Sequence, residues 1–198
     1  MDNIISIDNQ NAAPVDETPK FQFYRGPISN VRSAGTMTIL DAYRYITSME
    51  ACERTIKLRE IADANDHRTF KGKKFDYALF SGTFSQRNDA GLIKHSGFIC
   101  LDFDHLGFRL SELKERLVCD KYFDTQLLFR SPSGDGLKWV ISIDLERCDH
   151  RTWFVALQNY IREAYQTEVD SACINVSRAC FLPWDATCYV NPKITTEL

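Results

Sequence analysis

Asp102 and Asp104 stand two residues apart where an apolar run, Phe98-Ile99-Cys100-Leu101-Asp102-Phe103-Asp104, turns acidic. On an extended strand, side chains two apart point the same way, ~7 Å apart along it. Both carboxylates therefore share a face, while Phe103 takes the other. Two ionised carboxylates this close repel each other unless a cation offsets them, and Mg²⁺ or Mn²⁺ takes carboxylate oxygens well. A third carboxylate from elsewhere in the chain would equip such a site for in-line phosphoryl chemistry. The plainer alternative is a solvated strand end, with Asp104 capping the loop that follows.

A second constellation is Ser131-Pro132-Ser133-Gly134-Asp135-Gly136-Leu137-Lys138, which joins two apolar runs. Its glycines permit positive φ and close backbone approach, so free N–H groups there could cradle a phosphate. Lys138 would add a point charge. Because it opens an otherwise apolar strand, its side chain is expected to leave the core. A simple hairpin loop with a solvated lysine is the alternative. The P-loop pattern G-x-x-x-x-G-K-[ST] is absent, and a strand follows instead of a helix. Upstream, Ser81-Gly82-Thr83-Phe84-Ser85-Gln86-Arg87 and Lys94-His95-Ser96-Gly97 form a polar stretch. Ser81, Thr83, Arg87 and Lys94 there suit phosphate or backbone contacts, although a flexible loop would have the same composition. Asp170 and Arg178 carry no signal of their own.

These groups need elements to position them. Phe21–Tyr24 and Tyr77–Phe80 read as strands, as do the 98–104 run, Thr125–Phe129, Leu137–Ile143 and Ala179–Leu182. A run apolar on both faces marks a strand covered on both sides. Helical spacing begins after Thr38, a plausible N-cap, and a second helix is expected over about 51–63, ending near Asn65-Asp66-His67. Ser111–Val118 is a short amphipathic helix. Asp149–Tyr165 is the strongest, with Trp153, Leu157, Tyr160, Ile161 and Ala164 on one stripe. Residues 170–175 read as irregular. Helices and strands mix without a regular βαβ alternation, so the fold class is α+β. Residues 1–20, rich in Asn, Asp and Pro, read as a flexible arm, and 21–198 as one domain.

The composition bounds the function. With 44% hydrophobic and 12% aromatic residues in 198, a sizeable core is available. The net charge of -3 lacks the overall basic excess of many nucleic-acid-binding domains, but acidic ligands can mask a local basic cleft. Seven cysteines occur without C-x-x-C or paired zinc-type spacing, so they read as reduced core thiols and no zinc is expected. The polar, acidic start lacks the features of a signal peptide, and no stretch could span a membrane. Cytoplasmic location follows.

Taken in order, five motifs are similar to those of a known family: Phe80-Ser81-Gly82-Thr83-Phe84, Gly91-Leu92-Ile93-Lys94-His95-Ser96-Gly97, Leu101-Asp102-Phe103-Asp104, the 131–138 segment, and Asn175-Val176-Ser177-Arg178. Residues 21–192 resemble the N-terminal domain of virulence-associated-E-type proteins, found in Bacteroides-group mobile elements. That domain looks like a member of the archaeo-eukaryotic primase (primase–polymerase) superfamily, usually fused to a helicase-type ATPase. The resemblance implies a modified RNA-recognition-type sheet with a small additional α/β unit. It implies Asp102, Asp104 and Asp170 as catalytic carboxylates holding Mg²⁺ or Mn²⁺. Ser131, Ser133, Gly134, Gly136, Lys138 and Arg178 would then contact a nucleoside triphosphate, and Ser81, Thr83, Arg87 and Lys94 would contact single-stranded DNA. A helicase-type ATPase in cis or trans is the implied partner. Lys138 stands about where the superfamily has a histidine; lysine can hold a triphosphate but cannot copy a neutral imidazole. The functions to be distinguished are therefore a primase- or polymerase-type nucleotidyltransferase, a catalytically inactive module binding single-stranded nucleic acid, and a metal-dependent nuclease.

Overall fold

A computed structural model describes residues 18–195. The expected arm lies outside the described residues except for Thr18-Pro19-Lys20, which are exposed and run straight into strand β1 (Phe21–Tyr24). There follow β2 (Gly35–Met37), α1 (Ile39–Ile46), α2 (Met49–Glu60), α3 (Ala64–Lys74), β3 (Tyr77–Leu79), β4 (Gly82–Phe84), β5 (Leu92–His95) and β6 (Phe98–Phe103). The second half holds α4 (Leu110–Val118), β7 (Thr125–Arg130), β8 (Leu137–Ser142), α5 (His150–Tyr165), β9 (Cys180–Phe181), β10 (Tyr189–Val190) and α6 (Pro192–Thr195). The fold is mixed α+β, built on antiparallel sheets: one in the order β2-β1-β3-β9, one in the order β10-β7-β8-β6, and the β4–β5 hairpin.

The second sheet is buried on both faces, which is why β6 and β8 read as continuous apolar runs. On one face, Ile99, Leu101, Trp139 and Ile141 pack with Leu113 and Leu117 of α4 and Leu157 and Ile161 of α5. On the other, Phe98, Leu127, Phe129 and Val140 meet Phe21, Phe23 and Ala78 of the first sheet, closed by Ile39, Ala42 and Ile46 of α1. Each fully buried side chain of this size contributes about 1.5–3 kcal/mol. The Trp139 indole, wholly inside, donates to the Thr125 hydroxyl at 2.7 Å, so no buried polar group is left unpaired there.

Several elements differ from the sequence expectation. Thr38 caps α1 as expected, in a reciprocal capping box with Asp41. The second helix ends earlier, at Glu60, and Asn65-Asp66-His67 open a third helix instead of closing the second. Asp63 starts α3 by accepting from the Asn65 and Asp66 N–H groups, each at 2.9 Å. That helix buries no residue, so it lacks the apolar stripe by which helices are found in a sequence. The polar stretch after Gly82 is the β4–β5 hairpin, whose strands of three and four residues are too short to show alternation. Residues 171–174 form a 3-10 turn. No helix among the described residues is long and apolar enough to cross a membrane.

Candidate metal and phosphate site

The site starts from strand register. β6 and β8 pair antiparallel with Asp102 opposite Lys138 and Phe103 opposite Leu137. Residues directly opposite in such a pair project to the same face with Cβ atoms ~5 Å apart. Asp102 therefore meets Lys138, and its Oδ2 holds the lysine ammonium. Both residues are only 8% exposed. This corrects the expectation that Lys138 leaves the core: the lysine stays inside because a carboxylate awaits it across the ladder. The other oxygen, Asp102 Oδ1, is buried with no hydrogen-bond partner among the described residues. An unpaired buried carboxylate oxygen is costly unless something else meets it.

The third acid arrives through the backbone. After α5, the chain returns past β6, and the Asp170 N–H donates to the Asp102 carbonyl at 2.9 Å. Asp170 Oδ1 caps the following 3-10 turn by accepting the Ala172 N–H at 2.9 Å. Its Oδ2 holds the Arg178 guanidinium. Asp104, exposed just past β6, completes the group: Asp102, Asp104 and Asp170 each offer a carboxylate oxygen, and these lie within 4.8 Å of one another. Ser81 and Asn175 join Asp102, Lys138 and Arg178 around the cleft, whose wall includes the thiols of Cys100, Cys173 and Cys180. Burial pushes the Cys173 thiol up to about 12, so it stays protonated. All seven cysteines are free.

Lys138 lines this cleft, whereas residues 131–136 of the glycine turn do not, and the turn is fixed from several sides. Gly136 lies so near β6 that a Cβ there would be 2.3 Å from the Phe103 carbonyl oxygen. Gly134, at φ +83°, is backed by Arg59, which donates to the Pro132 carbonyl at 3.2 Å. Within the turn the Gly134 N–H donates to the Ser131 carbonyl at 2.9 Å, and the Ser131 N–H to Gly136 at 2.8 Å. The Ser131 and Ser133 hydroxyls are 3.1 Å apart. The amides of Ser131 and Gly134 are thus closed on the turn itself. Asp135 ties the turn to the loop after Asp104, accepting the Gly107 N–H at 2.8 Å.

The residues expected to contact nucleic acid divide. Ser81 lines the acidic cleft. Thr83 and Lys94 pair across the β4–β5 hairpin and line a separate groove with Lys20 and Thr36. Arg87 lies over the Tyr77 ring, 5.3 Å from its centroid.

Two features carry no sequence signal. The first is α3, whose Lys71 sits 5.9 Å from the centroid of the Phe181 ring. Burial lowers the pKa of its ammonium, and the charges of Lys138, Arg68 and Arg178 act in the same sense against Asp104. The second is a histidine relay. The Gly97 N–H donates to His95 Nδ1 at 3.0 Å, His95 Nε2 meets His150 Nδ1 at 3.1 Å, and His150 Nε2 meets the Cys173 carbonyl at 3.3 Å. With Nδ1 of His95 accepting, its proton is on Nε2, and each neutral ring passes one donor onward. Burial first, then the His150 charge, lowers the His95 pKa to about 4.

No curated protein matches this chain, and no solved structure matches it. One family does. The model of the BT4734-like, N-terminal domain matches residues 70–190, a shorter span than the 21–192 expected from the motifs, and it takes in β3 to β10 with all three acids, Lys138 and Arg178. The chain belongs to the family of BT4734-like N-terminal domains.

Proposed function

We propose that this chain is a primase–polymerase-like domain of the virulence-associated-E type, which binds a nucleotide and single-stranded nucleic acid through a divalent cation and transfers nucleotidyl groups. The observation that carries this reading is the convergence of three carboxylates within 4.8 Å, one with an oxygen left unpartnered among the described residues. An all-oxygen donor set of this kind suits Mg²⁺ or Mn²⁺ better than zinc, which favours nitrogen and sulfur ligands. A divalent ion bound there would activate an attacking hydroxyl and neutralise charge on the transferred phosphate.

The chain's own residues would do the rest. Asp102 and Asp104 present oxygens from one strand end, and Asp170 is held beside them by its backbone bond to Asp102. Lys138 and Arg178 hold two of these carboxylates in the free protein and can turn to phosphate oxygens when an anionic ligand enters. Ser131, Ser133, Gly134 and Gly136, which do not line the cleft, would meet the nucleotide only where it extends beyond Lys138. Ser81 faces the same cleft, while Thr83 and Lys94, with Arg87, would track a strand leaving it. Such a domain would act in the cytoplasm with a helicase-type ATPase, in replication or mobilisation of a mobile element.

A second reading has its own support. Because Lys138 and Arg178 already neutralise two acids, the domain would also be coherent as a catalytically silent module for single-stranded nucleic acid. A primer-synthesis and extension assay with Mg²⁺ or Mn²⁺ separates the two. The enzyme incorporates nucleotides in wild type and loses ~10²-fold or more in Asp102→Ala/Asp104→Ala. Salt-sensitive oligonucleotide binding that survives this double substitution, without incorporation of any nucleotide by wild type, would overturn the enzymatic reading in favour of the silent module.

A further inference from the structure

The acidic cleft is small. It encloses about 20 Å³, room for an ion or a water and not for a nucleoside. A nucleotide whose phosphates enter it must seat its base elsewhere. An open groove of about 510 Å³ adjoins the cleft, within the size range of ordinary ligand sites. Asn175 lines both, so the two spaces share a wall.

The groove runs between three elements that hold one another. The β4–β5 hairpin supplies Leu92 and His95, the segment after the 3-10 turn supplies Val176, and the start of α5 supplies His150. His95 meets His150 at 3.1 Å, and His150 meets the Cys173 carbonyl at 3.3 Å. The Ser177 N–H donates to Asp89 at 3.0 Å and closes the hairpin region on the segment that follows Asn175. The groove is thus formed before any ligand arrives, as ligand sites usually are.

Its chemistry suits the uncharged end of a nucleotide. Leu92, Leu145, Ile174 and Val176 give it apolar walls. The relay engages all four ring nitrogens of His95 and His150, and burial keeps both rings neutral, so they add ring surface without charge. The exposed charges along it are Asp89 and Asp149 against Arg151, a balance that does not gather phosphate. The cations that suit phosphate, Lys138 and Arg178, line the cleft instead. Asn175, exposed where the two spaces meet, offers both a donor and an acceptor.

We infer that this groove seats the base and sugar of the nucleotide whose phosphates meet the three carboxylates. The inference rests on the nucleotide-binding reading above, and it gives a task to the 91–97 and 175–178 motifs, which meet here.

Iodoacetamide labelling of the full chain, read cysteine by cysteine in a mass spectrometer, tests the seat directly. Cys148 lines the groove and is half-buried, whereas Cys119 is exposed on another surface. With Mn²⁺ present, saturating deoxynucleoside triphosphate, each of the four in turn, is expected to slow alkylation of Cys148 severalfold in at least one case. Tripolyphosphate leaves Cys148 reactive, and Cys119 reacts equally throughout. In calorimetric titration that nucleotide binds wild type roughly tenfold or more tighter than tripolyphosphate, about 1.4 kcal/mol. Cys148→Trp fills the groove and removes this advantage. Leu145→Asn, at an exposed position where the fold is not at risk, lowers it. Neither changes tripolyphosphate affinity. Equal affinity of wild type for nucleotide and tripolyphosphate, an advantage undiminished in both variants, or Cys148 left open by bound nucleotide overturns the groove while the nucleotide-binding reading stands. Failure of wild type to bind either ligand overturns both. Protection of Cys148 by a single-stranded oligonucleotide alone makes the groove a seat for a strand and also overturns the inference.

Discussion

Asp102 and Lys138 show how one register position can carry both a cost and a use. Each is 8% exposed, and each neutralises the other across the β6–β8 ladder. Removing one partner of such a pair leaves an uncompensated buried charge, worth about 3–5 kcal/mol, whereas replacing both by apolar groups is often neutral. Lys138→Met is therefore expected to destabilise the protein by that amount, and Asp102→Leu/Lys138→Met to recover most of it, read from urea midpoints. A single Lys138→Met as stable as wild type would mean that the pair is solvated and open. At this scale the sequence was informative where a charge interrupts an apolar pattern: Asp102 ends one buried run and Lys138 opens another. It was silent on their contact, because a cross-strand partner depends on register. Arg178 stood out only through the ordered motifs and Asp170 only as the third acid that the resemblance implies, since a turn acid and a surface arginine are ordinary in isolation.

At the level of elements, the histidine relay ties the end of the β4–β5 hairpin to the first turn of α5 and to the turn that carries Asp170. Both rings are held neutral: burial lowers the His150 pKa, and that of His95 falls to about 4. In the unfolded chain histidine titrates near 6.5. Below that value the unfolded state takes up protons that the folded pair refuses. The relay's contribution is thus fully present above about pH 6.5 and is lost as pH falls towards 4. Urea midpoints measured across this range should fall more steeply in wild type than in His95→Gln. Identical slopes would remove the relay from the account. His95 and His150 are 55 residues apart, so no spacing could have paired them. The missed helix α3 has the opposite cause. It is local, but it is polar on every side, and Asn65-Asp66-His67 look more like a stop than a start.

Across the whole molecule, the family match and the folded unit have different limits. The match begins at residue 70, inside α3, yet β1 is a central strand of its sheet, hydrogen-bonded to both β2 and β3. Phe21 and Phe23 pack into the core shared by the two sheets, and the Phe21 and Phe80 ring centroids are 4.6 Å apart. A fragment confined to residues 70–190 would expose the β3 edge and that aromatic surface, an invitation to edge-to-edge association. It is expected to elute as aggregate and to lack the near-ultraviolet circular dichroism of a packed core. The chain from residue 18 should unfold in one transition. A monomeric, cooperatively folded 70–190 fragment would contradict this. The α+β class was readable because strongly apolar strands and the striped α5 dominate the pattern. The sheet order was not, since β2, β9 and β10 are two or three residues long and are recruited by neighbours.

The main-chain bond from Asp170 to Asp102 has a practical corollary. The Asp170 backbone is brought into place by peptide groups, so the position of its main chain does not depend on the charge that its side chain carries. Asp170→Asn would keep the amide link and an oxygen able to cap the Ala172 N–H, while removing one negative charge. If the proposed nucleotidyl transfer holds, such a nearly isosteric variant would suit the trapping of an unreacted complex for crystallography.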